Sequence, residues 1–63
     1  MTPLGALFLR VAAAFEESAR LADRVAELHE QAGCPERAAV ERAQAMRVRR
    51  AAQRARDHAR EQE

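Results

Sequence analysis

A single interruption near the middle of the chain constrains the fold more than any other feature. Residues that favour helices follow one another along almost the whole sequence, except at Gly33 and Pro35. Glycine suits the left-handed residue that closes a helix, whereas proline cannot continue a helix but can begin the next one. The sequence therefore predicts a first helix over about residues 3–32, a turn at residues 33–34 and a second helix over about residues 35–60. Because the connection is so short, the helices should fold back on each other as an antiparallel all-α hairpin.

A chain this short needs help to stay folded. It has 63 residues, and a monomer of that size buries only about 60% of the surface that its unfolded chain exposes. The usual help is a disulfide, a structural metal ion or association with another chain. The single cysteine, Cys34, excludes an internal disulfide, and no cluster of cysteine and histidine has the spacing of a zinc site. Association with a further chain is the remaining expectation.

The first helical segment carries a heptad pattern of apolar residues. Its members alternate at spacings of three and four, which is the pattern of a coiled-coil seam. The predicted seam consists of Leu4, Leu7, Val11, Ala14, Ser18, Leu21, Val25, Leu28 and Ala32. It is flanked by Phe8, Phe15, Ala22 and His29, and beyond these by Gly5, Ala12, Ala19 and Ala26. Together these rows cover about half of the helix circumference, which is more than one partner helix needs. The first helix should therefore contact at least two neighbours.

The second helical segment has a seam made mostly of small residues. One row is Ala38, Ala45, Ala52 and Ala59, and the other is Glu41, Val48, Ala55 and Gln62. Each methylene group that is missing from such a seam forgoes about 0.8 kcal/mol of burial. We therefore expect a second copy to cover the larger side chains, so that two hairpins form a homodimeric four-helix bundle. The expected core and dimer residues are Leu4, Leu7, Phe8, Val11, Phe15, Ser18, Leu21, Val25, Leu28 and Val48.

The charges are divided between the two halves of the chain. Residues 1–33 carry three arginines and five carboxylates, a net charge of −2, whereas residues 34–63 carry eight arginines and five carboxylates, a net charge of +3. The second half contains two arginine rows that could bind a partner or an anion: Arg42, Arg49 and Arg56 border the alanine seam, and Arg47, Arg50 and Arg54 lie on the outer side.

The seam-bordering arginines have three possible roles. In a closed hairpin they should fall level with His29, Ala22 and Phe15, which offer no carboxylate, although Arg56 could lie over the Phe15 ring. They could instead pair with an acidic row of the same period in a second copy, around a two-fold axis. They could also be solvated, with their alkyl stems over the alanine seam, or they could bind an anionic ligand. The acidic row is Glu16, Asp23 and Glu30. We expect Glu16 also to pair with Arg20 within its helix.

Nucleic acid is the main alternative partner. Residues 42–56 contain six arginines and no acidic residue, so that non-specific contact with phosphates is possible, as is a clamp for a small anionic nucleotide. The chain has no asparagine to read adenine and no aromatic residue within that segment to stack on a base. These absences argue against sequence-specific readout.

The sequence otherwise favours a non-enzymatic interaction module, such as an adaptor or a regulatory subunit, that presents its arginine-rich helix to an acidic partner protein. It contains no glycine-rich phosphate loop and no arrangement typical of nucleophilic catalysis, and we expect no metal ion or cofactor. No apolar run approaches the roughly 18 residues that cross a membrane, and the segment near the start lacks the features of a signal peptide, so that we expect a cytoplasmic protein. Cys34, at the expected N-cap of the second helix, is either a reactive or dimer-linking thiol or simply a small turn residue.

Overall fold

The computed structural model describes all 63 residues and contains two helices. Helix α1 spans Pro3–Gln31 and helix α2 spans Pro35–Glu61. The two helices pack against each other as an antiparallel hairpin, and the Cα atoms extend over 47 × 13 × 8 Å. The predicted all-α hairpin is thus confirmed, with helix ends that lie within one residue of the expected positions.

Local capping determines where α1 begins and where the chain turns. The Thr2 hydroxyl accepts a hydrogen bond from the Gly5 N–H at 2.9 Å, and Pro3 occupies the first helical position. At the other end Gly33 adopts a φ of 78°. Its N–H donates to the Glu30 carbonyl at 3.0 Å, and the next N–H, that of Cys34, donates to the His29 carbonyl at 2.8 Å. This pair of bonds is a Schellman motif, which satisfies carbonyls that the end of a helix leaves free.

The helices meet through a seam of very small residues. No residue larger than alanine is fully buried. The buried residues are Gly5, Ala12, Ala19, Ala22 and Ala26 in α1, and Ala38, Ala45, Ala52, Ala55 and Ala59 in α2. Their size lets the backbones approach closely, so that a Cβ atom built at Gly5 would lie 3.4 Å from the Ala59 carbonyl oxygen. The predicted seam of α2 is confirmed.

The face of α1 that packs on α2 differs from the predicted one. The row of Gly5, Ala12, Ala19 and Ala26 lies against α2, whereas the predicted seam of leucine and valine remains outside. Close contact with an alanine surface requires small residues on both sides, and leucine side chains would hold the two backbones apart. Side-chain size, rather than hydrophobicity, selects the face of α1 that packs in the hairpin.

Two residues expected at the core or dimer interface, Val48 and Phe8, are partly buried within the hairpin. Val48 is half-buried and packs against the cluster that contains Ala19 and Ala45. Phe8 is half-buried, with its ring centroid 5.2 Å from that of His58. Phe15 keeps 36% of its surface exposed. The hairpin therefore shelters part of Val48 and Phe8 without a second chain, whereas Phe15 stays exposed.

Neither helix has the length and apolar character needed to span a membrane.

Candidate interaction surface

One edge of the hairpin carries a ladder of ion pairs that join the two helices. Arg42 pairs with Glu30; Arg49 Nη2 lies 2.5 Å from Asp23 Oδ2, and Arg56 Nη1 lies 2.9 Å from Glu16 Oε2. The prediction that a closed hairpin offers this arginine row no carboxylate is therefore wrong, because the two rows pair within one chain. It depended on the wrong face of α1: once the alanine row packs on α2, the acidic row that follows it by four residues lies directly beside the seam.

The ladder contributes modestly to stability. Its arginine side chains keep 34–48% of their surface exposed, and the carboxylates keep 39–49%. Exposed ion pairs of this kind typically contribute about 0.2–1 kcal/mol each, because water screens the attraction and two long side chains must be ordered. The larger consequence concerns binding, since these three arginines already have carboxylate partners and are less available to an external anion.

Other ion pairs lie along single helices. Arg20 pairs with Glu17 at 2.5 Å, and Arg24 pairs with Glu27 at 2.9 Å. The expected pair of Glu16 with Arg20 does not form, because Glu16 points across the seam to Arg56. In α2, Arg60 pairs with Asp57, and His58 Nδ1 lies 3.3 Å from Glu61 Oε2.

Five arginines have no carboxylate partner. Three of them, Arg47, Arg50 and Arg54, belong to the predicted outer row, and the other two are Arg10 and Arg37. All five are exposed, and Arg47 donates to the Gln44 side-chain oxygen at 2.8 Å. Of the six arginines predicted to bind a partner, only the outer three remain uncompensated. Arg37 was missed because it follows the turn directly and belongs to neither predicted row, and Glu41, four residues further on, suggested an intrahelical pair that does not form.

An apolar surface lies on the edge of α1 opposite the ion pairs. We call it the leucine–valine stripe, and it consists of Leu4, Leu7, Val11, Leu21, Val25 and Leu28. Each of these side chains is between 37% and 59% exposed. Ala14 and Ser18, which are exposed as well, lie between its two halves. The stripe coincides with the predicted seam of α1, but the hairpin leaves it uncovered.

Two contacts identify which residues of α2 lie on the same side as the stripe. The His58 ring approaches the Phe8 ring, and His29, Arg37, Val40 and Glu41 line a shallow cavity of about 200 Å³. These contacts place one flank of α2 beside the phenylalanine row of α1, which itself borders the stripe. Spacings of seven and fourteen residues place Arg47 and Arg54 in the row of Val40. We call Arg37, Arg47 and Arg54 the basic row.

The turn and the histidines provide no evident chemical site. Cys34 is exposed at the N-cap of α2, as expected, and its Sγ lies 3.9 Å from the Ala32 carbonyl oxygen. No group of three or more histidine, cysteine, aspartate or glutamate side chains is arranged to hold a metal ion. Comparison with protein-family models, curated proteins and solved structures finds no match.

Proposed function

We propose that this protein is a non-enzymatic interaction module. It forms a homodimer through the leucine–valine stripe of α1 and presents arginines of α2 to an acidic partner protein. The dimer is a four-helix bundle in which the two α1 helices pack against each other. In this proposal the hairpin is the folded unit, and binding of a further chain is its activity.

The exposed stripe is the observation that carries the proposal. It has six large apolar side chains in two groups of three, which the small exposed residues Ala14 and Ser18 join in one 3-4 pattern, and monomeric proteins rarely leave a contiguous apolar patch of more than a few hundred Å² in water. A second copy supplies a surface of the same shape and period, so that a two-fold arrangement covers both stripes at once. Because each side chain is already about half-covered by its own helix, the interface lies at the small end of the range, which favours a weak and exchangeable dimer.

The molar mass in solution tests the homodimer. We expect light scattering to give 7.0 kDa at high dilution and twice that mass as the concentration rises. Leu21→Glu should hold the protein at the monomer mass, because it places a charge in the centre of the interface. Leu21 is 59% exposed in the hairpin, so that the helical circular dichroism signal of this variant should be unchanged.

Ala13→Glu is the matched control. It adds the same charge to an exposed position of α1 outside the stripe, and it should dimerise like the natural sequence. A natural protein that is helical and remains at 7.0 kDa at millimolar concentration would contradict the proposed homodimer.

Binding of phosphate groups is the second candidate function, for nucleic acid or for a small anionic nucleotide. The three uncompensated arginines of the outer row favour it, because they are exposed and lack carboxylate partners. If Arg47, Arg50 and Arg54 each neutralise one phosphate of duplex DNA, the logarithm of the binding constant should fall with the logarithm of salt concentration at a slope of about −3. A salt titration with generic duplex DNA measures this slope, and the absence of binding at low salt would remove the candidate.

A further inference from the structure

We infer that the leucine–valine stripe and the basic row form one docking face, and that its occupant is an amphipathic helix with acidic residues along one edge of its apolar surface. The inference rests on the proposed function, since it specifies the acidic partner and the place where that partner binds. It also adds a regulatory consequence, because such a helix and a second copy of the chain would compete for the same stripe.

The distribution of charge between the two edges of the hairpin is the first step. On the edge of the ion pairs, every arginine of the row beside the seam meets a carboxylate of α1. On the opposite edge, the row of α1 beside the seam is Phe8, Phe15, Ala22 and His29, and the next row is Leu4, Val11, Ser18 and Val25; neither row contains a carboxylate. The basic row therefore has no acidic counterpart across the hairpin, although Glu41 lies near Arg37 on α2 itself, so that Arg47 and Arg54 are free to pair with an acidic segment of another molecule.

The period of the stripe is the second step. Together with Ala14 and Ser18, its residues alternate at spacings of three and four from Leu4 to Leu28, which corresponds to about 36 Å of straight helix at 1.5 Å per residue. An occupant that covers the stripe must offer apolar side chains with the same period over a similar length, and an α-helix does so. With its apolar face on α1, such a helix would have one edge close to α2, where the basic row lies. Acidic residues along that edge would be complementary to the basic row.

A second copy complements this face less well. The row of α1 on the outer side of the stripe carries Arg10, Glu17 and Arg24, so that a second copy brings a net positive charge towards the basic row. Like charges of this kind weaken the homodimer without preventing apolar contact. A membrane surface also fits less well, because α2 contributes only Val40 and Ala51 as apolar residues to the face, whereas an interfacial helix needs a broad apolar side.

Two synthetic peptides test the inference. Both are amphipathic helices of about 25 residues, long enough to span the stripe, with leucine at the heptad a and d positions. One carries glutamate along one edge and the other carries lysine at the same positions. Fluorescence anisotropy of the labelled peptides measures binding to the full chain, and sedimentation reports the mass of the complex.

We expect the glutamate peptide to bind and the lysine peptide to bind at least tenfold more weakly. Arg47→Gln/Arg54→Gln should weaken binding of the glutamate peptide about tenfold, since each exposed ion pair is worth at most about a fivefold change. Arg50→Gln/Arg60→Gln is the matched control, with the same change of charge on the same helix but away from the face, and it should leave the affinity unchanged. Addition of the glutamate peptide should convert homodimer into a complex of one chain with one peptide.

Several outcomes would overturn the inference: equal binding of both peptides, no binding of either, or equal weakening by the two double variants. Binding of phosphatidylserine-containing vesicles that is lost in Arg47→Gln/Arg54→Gln, without binding of the glutamate peptide, would assign the face to a membrane surface instead. The homodimer is judged separately, from the mass of the chain alone. A monomeric chain that binds the glutamate peptide would retain the docking face and reject the dimer, and a dimer that binds no peptide would do the reverse.

Discussion

At the scale of single residues, the small size of the buried side chains determines how this hairpin packs. Ala19, Ala26 and Ala52 have no measurable exposure, and the seam contains no buried leucine, valine or phenylalanine. A seam of this kind buries little apolar area per residue, but it brings two backbones close enough for arginine and glutamate side chains to reach across it. The size of the buried residues thus accounts both for the ion-pair ladder and for the exposure of the leucine–valine stripe.

The effect of seam volume can be tested with Ala52→Leu. The added atoms have no space at a position with 0% exposure, so that the helices must separate and unfolding should become easier by about 1–3 kcal/mol. Thermal or urea denaturation followed by circular dichroism measures the loss. Ala43→Leu makes the same change at an exposed position of α2 and should alter stability by less than about 0.5 kcal/mol. Equal effects of the two substitutions would show that the seam is not tightly packed.

At the scale of elements, the turn and the ladder determine how the helices are paired. The Schellman motif ends α1 at a defined residue, and Pro35 begins α2 directly after it. The three ion pairs then share one antiparallel register, because each step of seven residues back along α1 is matched by seven residues forward along α2. A shift of one residue between the helices would break all three pairs and place larger side chains in the seam.

Gly33→Ala tests the turn. A Cβ atom at this position would contact nothing within 4 Å, but the φ of 78° is unfavourable for any residue with a side chain. The expected loss of stability is therefore conformational and amounts to about 1–2 kcal/mol. Gly33→Asn should lose less, since asparagine tolerates the left-handed region better. If denaturation shows no difference between alanine and glycine, then the turn is not held in this conformation.

A charge exchange tests whether the ladder acts within one chain. Arg49→Glu places a second carboxylate beside that of Asp23, and the repulsion should destabilise the hairpin by about 1 kcal/mol. The double variant Asp23→Arg/Arg49→Glu restores an opposite-charge pair and should recover most of that loss in a double-mutant cycle. The ratio of monomer to dimer should change little. Loss of the dimer with unchanged hairpin stability would instead indicate pairing between chains.

The elements could be predicted from sequence, whereas the packed face of α1 could not. Gly33 and Pro35 act locally, so that the helix ends follow from backbone preferences alone. On α1, however, both the leucine–valine row and the alanine row repeat every seven residues, and periodicity does not distinguish them. The choice depends on the partner helix, since Ala45 and Ala52 accept only small neighbours. The pairing of Asp23 with Arg49 within one chain depends on the same choice, so that periodicity could not predict it either.

At the scale of the whole molecule, the hairpin has two unlike edges. On one edge, three arginines of α2 pair with three carboxylates of α1. The other edge carries the leucine–valine stripe, which no apolar surface of the hairpin covers, and the basic row, which faces no carboxylate of α1. The proposed association should therefore use the second edge. The short chain and the small seam make the stability of the hairpin marginal, so that contacts on that side should contribute a large part of the total.

Concentration should therefore affect the thermal stability. If dimerisation covers the stripe, the melting temperature of the natural chain should rise as protein concentration is raised a hundredfold, because a second copy binds only the folded state. Calorimetry over that range measures the effect. Val25→Glu, which places a charge on the stripe, should melt at the same temperature at all concentrations. If the natural chain also shows no concentration dependence, it does not dimerise.

The antiparallel arrangement also implies a gradient of local opening along the molecule. Partners near the turn, such as Glu30 and Arg42, are close in sequence, whereas Glu16 and Arg56 are separated by 40 residues. Closing the shorter loop costs less chain entropy, and both chain termini lie at the far end, where helices fray. Amide hydrogens around Ala26 and Ala38 should consequently exchange with deuterium more slowly than those around Leu9 and Ala55. The stripe would then loosen first at Leu4 and Leu7. Binding of a partner would therefore restrict the motion of the hairpin most at that end.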